Sequence, residues 1–112
     1  MQREKVQEIR NMSVYRMEDG TVVNTEKSKQ HWDEAKDWNG SNHISRVTGT
    51  QWNHEILYES RKGRFYVEHW SQWQGSQSHV EWVSEQEAVR WLLLNDEEVP
   101  ERLAHLVESI TE

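Results

Sequence analysis

Apolar residues follow two different periods along this chain. From Val14 to Val83 they fall in short clusters rich in β-branched and aromatic residues, separated by glycine-containing turns; from Ser84 onward they recur at spacings of three and four. The first pattern predicts strands and the second predicts helices. Val14-Tyr15-Arg16-Met17 and Thr21-Val22-Val23 flank Glu18-Asp19-Gly20, and an Asp-Gly pair supplies the positive φ of a hairpin turn. Ile44 to Thr48 and Glu55 to Ser60 read as further strands. Across the Arg61-Lys62-Gly63 turn, Arg64 to Trp73 is the longest strand candidate, and His79 to Val83 completes a three-strand meander. Thr25 to Asp37, mostly charged around Trp32 and Ala35, fits one or two exposed helical turns or a loop.

Ser84-Glu85-Gln86-Glu87 is a capping box, because the Ser84 hydroxyl and the Glu87 carboxylate can each satisfy the other residue's free amide. The helix that it opens carries Ala88, Trp91 and Leu92 on one stripe, with Val89 and Leu93 beside them, and stops at Asn95-Asp96. Pro100 suits the first turn of a second helix, whose Leu103, Leu106, Val107 and Ile110 share a face. The reading is an α+β fold: an antiparallel sheet of five to six strands packed by two C-terminal helices. Residues 13–112 form its one domain, after an arm over 1–12 read as a frayed helix or tail.

The strand region echoes itself. Val14-Tyr15 followed by Gly20 matches Leu57-Tyr58 followed by Gly63; Trp38-Asn39-Gly40-Ser41 matches Trp73-Gln74-Gly75-Ser76, and each of these is followed by a histidine, His43 or His79, that opens a strand. Two duplicated hairpin-plus-strand units would produce this order.

Composition narrows the function. Of 112 residues only 34% are apolar and 29% are charged, so the seven tryptophans are expected to carry much of the core. Their number separates the chain from disordered sequences of similar charge. With 20 acidic and 13 basic residues the net charge is −7, which disfavours nucleic acid as a partner. Without cysteine there is no disulfide or thiolate metal site, and no apolar run is long enough to span a bilayer, so a cytoplasmic location is expected.

Six histidines raise the question of metal, but no pair has the local spacing of a zinc site, and no metal or cofactor is expected. The chain shows neither a nucleophile elbow nor a phosphate loop nor a zincin helix, which leans against an enzyme. In the bland reading of the Trp-x-Gly-Ser turns, glycine permits the turn, tryptophan covers the core edge and histidine bonds a backbone carbonyl. In the sharper one, Trp38, Trp73, His43 and His79 line a quasi-symmetric site. His69, Trp70 and Trp73, amid Gln and Ser, have the composition of a binding platform, with Trp70 and Trp73 facing opposite sides of a strand.

The expected function is a non-catalytic interaction module. It is read as a small acidic protein binding a protein partner, as a regulator or inhibitor of phage or mobile-element type, with self-association into a homo-oligomer also open. A small-ligand or carbohydrate binder using the Trp-x-Gly-Ser turns is the first alternative, and it requires a concave site containing Trp73 or Trp38. The second is a single-stranded nucleic-acid binder, stacking bases on Tyr58, Tyr66 and Trp70 beside Arg61, Lys62 and Arg64.

Overall fold

A computed structural model describes residues 13–112; the arm expected over 1–12 lies outside the described residues. The architecture is α+β. Strands β1 (Val14–Arg16) and β2 (Val22–Asn24) form a hairpin, and a 3₁₀ turn (Thr25–Lys27) leads to β3 (Gln30–Asp33). Strands β4 (Lys36–Trp38) and β5 (His43–Ser45) form a second ribbon. Strands β6 (Asn53–Glu59), β7 (Phe65–Ser71) and β8 (His79–Val83) make the meander, and joined by β3 they give a four-stranded antiparallel sheet in the order β3-β6-β7-β8. Helix α1 (Glu85–Leu94) follows, then a 3₁₀ turn (Glu101–Leu103) and the short helix α2 (His105–Ser109).

The sheet buries both faces, and the cross-strand register shows how. Leu57 lies opposite Trp32 and Val67, and Phe65 opposite Val83; this face packs on Ala88, Val89, Trp91 and Leu92 of α1 and on Leu103. One residue along, the opposite face places Tyr58 against Tyr66 and beneath Met17 and Val23 of the β1–β2 hairpin. Two-residue alternation therefore feeds two apolar clusters, one closed by helices and one by a hairpin. Trp91 alone among the tryptophans is buried, and Trp38, Trp52 and Trp73 are exposed. The expected indole core is corrected accordingly: water is excluded by Leu57, Phe65, Tyr66, Val89, Leu92 and Leu103, the larger fully enclosed side chains.

The capping box forms as read. Ser84 Oγ accepts from the Glu87 amide at 3.0 Å, and Glu87 accepts from the Ser84 amide at 2.8 Å. Leu93, expected beside the apolar stripe, is instead exposed with Leu94. The Thr25–Asp37 region is the larger correction: after its single 3₁₀ turn it supplies two strands. One of them, β3, is an edge strand whose Trp32 is the sole apolar side chain, so it shows no alternation to read.

The two hairpin turns of the internal echo are built alike. Gly20 (φ 88°) and Gly63 (φ 90°) occupy the left-handed position. The Met17 and Ser60 amides donate to Thr21 O and Arg64 O, each at 2.7 Å. Pairing then diverges, because β5 bonds to β4 in a separate ribbon whereas β8 bonds to β7 in the main sheet.

Candidate functional site

The β4–β5 ribbon is fastened to the sheet by a buried carboxylate. Glu34 sits between β3 and β4, where its Oε1 accepts from Ser45 Oγ at 2.7 Å and from the Glu55 amide at 2.8 Å. Its Oε2 lies 2.6 Å from Nδ1 of His54, and both side chains are 5% exposed. These donors make the Glu34 carboxylate an acceptor, so the His54 proton sits on Nδ1. His54 Nε2 is then a buried ring nitrogen with no hydrogen-bond partner among the described residues, while the Trp70 ring stacks on the imidazole at 4.4 Å. A buried polar atom left unpaired is costly in an ordinary interior and calls for an explanation; the described residues hold one other, Trp82 Nε1, beside a different cleft.

Two clefts flank this histidine, and it is the one residue common to both linings. The first, of about 480 Å³, runs past Trp70, Glu55, His69 and His79; the second, of about 360 Å³, is bordered by Lys36, Asn42, His43, Gln51, Trp52 and Gln72. The wall between them comes from the loop joining β5 to β6, which is held by its own threonines. Thr50 Oγ1 accepts from the Trp52 and Asn53 amides, Thr48 Oγ1 donates to Asn53 O at 2.7 Å, and the Gln72 amide donates to Trp52 O at 2.9 Å. Trp52 is therefore presented on an ordered loop, and its ring meets that of Trp73 at 4.8 Å. On the other rim, Trp38 packs on His43 at 5.0 Å. Trp38, Trp52 and Trp73 are 61%, 39% and 57% exposed, so this end of the molecule is an indole surface around a polar cleft.

The residues singled out from sequence separate into three places. Trp38, His43 and Trp73 belong to the indole end, while Trp70 covers His54 from within. His69 and His79 pair across β7 and β8 and stack at 4.6 Å. Both His69 nitrogens face carboxylates, Glu55 at 3.3 Å and Glu81 at 2.8 Å. Contact with Glu55, then with Glu81, raises the His69 pKa against the opposing effect of burial. Burial pushes Glu55 upward, but His69 and the Trp91 Nε1 donor at 3.0 Å outweigh it and hold the carboxyl low.

Tyr58 and Tyr66 are buried, stacked on each other at 5.0 Å, with hydroxyls directed to Glu68 and Ser28. Burial raises both phenols. Neither ring is open to a base, which corrects the expectation that they form a stacking platform. Arg61, Lys62 and Arg64 line a separate cleft of about 620 Å³ with Trp82, and there the Arg64 guanidinium already covers the indole at 3.6 Å and faces Asp19 at 3.8 Å.

The quasi-symmetric quartet does not assemble. In the β4–β5 ribbon Trp38 lies directly opposite His43, whereas His79 lies opposite His69 and Trp73 stands beyond the end of β7. The longer β7–β8 connection breaks the equivalence, and Trp73 turns to Trp52 instead. Nor do Trp38 and Trp73 line either cleft; they stand at the rim. Sequence reasoning passed over Glu34, Gln51 and Trp52 and weighed His54 only as one of four strand histidines, with His43, His69 and His79, that could meet around a metal; of these only Trp52, a lone indole in a Gly-Thr-Gln-Trp-Asn loop, carried a local signal. Among the described residues no group of three His, Asp or Glu is placed to hold a metal ion, and no helix is long and apolar enough to cross a membrane. Comparison with protein-family models, curated proteins and solved structures finds no match to this chain.

Proposed function

We propose that this chain is a non-catalytic interaction module that meets its partner through the indole end, with Trp38, Trp52 and Trp73 as contact residues. The exposure of three tryptophans around one cleft is the observation that carries this reading. Indoles supply large contact area at small conformational cost, and leaving them in water is unfavourable unless a partner covers them. The net charge of −7 and the burial of Tyr58 and Tyr66 weigh against single-stranded nucleic acid.

Two kinds of occupant suit such a surface. A protein partner would lay an apolar patch across the three rings, in keeping with a regulator or inhibitor. A small ligand would enter between them, and the unpaired His54 Nε2 beside the clefts favours that second occupant. The test compares wild-type protein with a W38A/W73A variant, both immobilised, for retention of proteins and small molecules from an extract of the producing cell. These two rings touch neither main apolar cluster, so the variant is expected to fold. Selective retention by wild type is expected; equal retention by the two, or none by either, overturns the proposal.

A further inference from the structure

We infer that the cleft beside His54 takes a neutral polyhydroxylated ring, a sugar unit, with one ligand hydroxyl donating to His54 Nε2. The inference deepens the indole-end reading and rests on it. Its first support is the polarity of the histidine. Glu34 receives Ser45 Oγ and the Glu55 amide on one oxygen and faces Nδ1 on the other, so Nε2 is left with a lone pair and needs a donor. A hydroxyl meets that need.

The second support is the cleft's composition. Asn42, Gln51 and Gln72 bring side-chain amides, each with two donors and an acceptor, which suits hydroxyl groups that both donate and accept. Trp52, backed by Trp73, offers an indole face for the C–H side of a saturated ring. Lys36 and His43 are the basic side chains in the lining besides His54, too few to offset the −7 charge for a phosphorylated ligand. A volume of about 360 Å³ holds one small ring.

Nε2 itself has less than 1 Å² exposed. Entry therefore requires exposed lining side chains such as Gln72 to swing aside by a change of rotamer, with Trp52 staying in place as the ring's platform.

The experiment titrates the full chain with cellotetraose, chitotetraose, maltotetraose and lactose, following tryptophan fluorescence and calorimetric heat. At least one sugar is expected to bind saturably, and the His54 Nε2 resonance in long-range ¹H–¹⁵N spectra is expected to move on binding. H54A and W52A should each weaken binding about tenfold or more, the scale of one lost hydrogen bond or ring contact. If H54A fails to fold, Q51A, on the same lining, and the Nε2 resonance of the wild type serve in its place. Absence of binding by all four sugars, or a bound sugar that leaves Nε2 and the W52A affinity unchanged, overturns the assignment. Selective retention lost in W38A/W73A, with no sugar bound, would remove the sugar while leaving the interaction module standing; loss of both results would remove both.

Discussion

Replacing Glu34 tests the centre of this site, because its carboxylate bonds β5 and β6 from the segment between β3 and β4. In E34A the Ser45 hydroxyl, the Glu55 amide and His54 Nδ1 all lose their acceptor. Each stranded buried group costs about 1–3 kcal/mol, so the three together cost at least about 3 kcal/mol. We therefore expect E34A to lose about 3–5 kcal/mol, a large part of the ~5–15 kcal/mol that holds a typical domain folded. E34Q separates geometry from charge. Its amide oxygen can still receive Ser45 and Glu55, while its NH₂ faces Nδ1 and forces the histidine proton onto Nε2. The expected cost is about 1–2 kcal/mol, with a reversal of the His54 tautomer. Urea unfolding followed by tryptophan fluorescence gives the first quantity and long-range ¹H–¹⁵N spectra give the second. An E34A loss below about 1 kcal/mol, or an unchanged tautomer in E34Q, would refute the claim that this carboxylate orients His54.

Three further outcomes follow from the packing and charges. L92A removes a fully enclosed side chain between α1 and the sheet and should cost about 2–5 kcal/mol in the same urea assay. S84A deletes one half of the capping box and should cost about 1 kcal/mol, read as a lower thermal midpoint with unchanged sheet signals. His69 has a pKa raised above its unfolded value of about 6.5, so its pairing with Glu55 and Glu81 stabilises fully below that pH and fades as pH rises through the folded value. Glu55, held low, contributes above the ordinary carboxylate range and loses that contribution as pH falls through its depressed value. Stability measured against pH should thus decline as pH rises above about 6.5 in wild type, and H69Q should flatten that decline.

Local signals made much of the fold legible. The Asp19-Gly20 and Lys62-Gly63 turns, the β6–β7–β8 meander and the capped helix all follow from spacing and turn chemistry within a few residues. What escaped depended on contacts distant in sequence. Strand β3 pairs through Gln30, His31, Trp32 and Asp33, residues without strand preference as a group, and becomes a strand because β6 offers it an edge. The tryptophans misled for a related reason: composition counts rings, but the hairpin register decides which rings face a partner layer. Trp91 lands under the sheet, while Trp38 and Trp73 land at the tips. Glu34 and His54 are twenty residues apart and meet only when the ribbon folds over the sheet, so neither carries a motif.

That ribbon also accounts for the site's position. It is fixed at both ends by charge rather than by apolar packing. Glu34 holds it to β6, and Arg46 grips Asp37 through two nitrogens at 2.8 and 3.2 Å while a third reaches Asp96 at 2.9 Å and the Leu94 carbonyl at the end of α1. The Asn95 side chain accepts from the Ala35 amide at 2.7 Å. A directional polar seam sets side-chain positions more tightly than interchangeable apolar contacts do, and the exposed rings of Trp38 and Trp52 hang directly from it. Beside the seam lies a cleft lined by Lys36, Asn42, Gln51, Trp52 and Gln72, and His54 Nε2 next to it has no hydrogen-bond partner among the described residues. A seam serving stability alone could be closed with leucine or valine, so a buried Glu34–His54 hydrogen bond beside an open cleft supports the reading that the cleft takes a ligand.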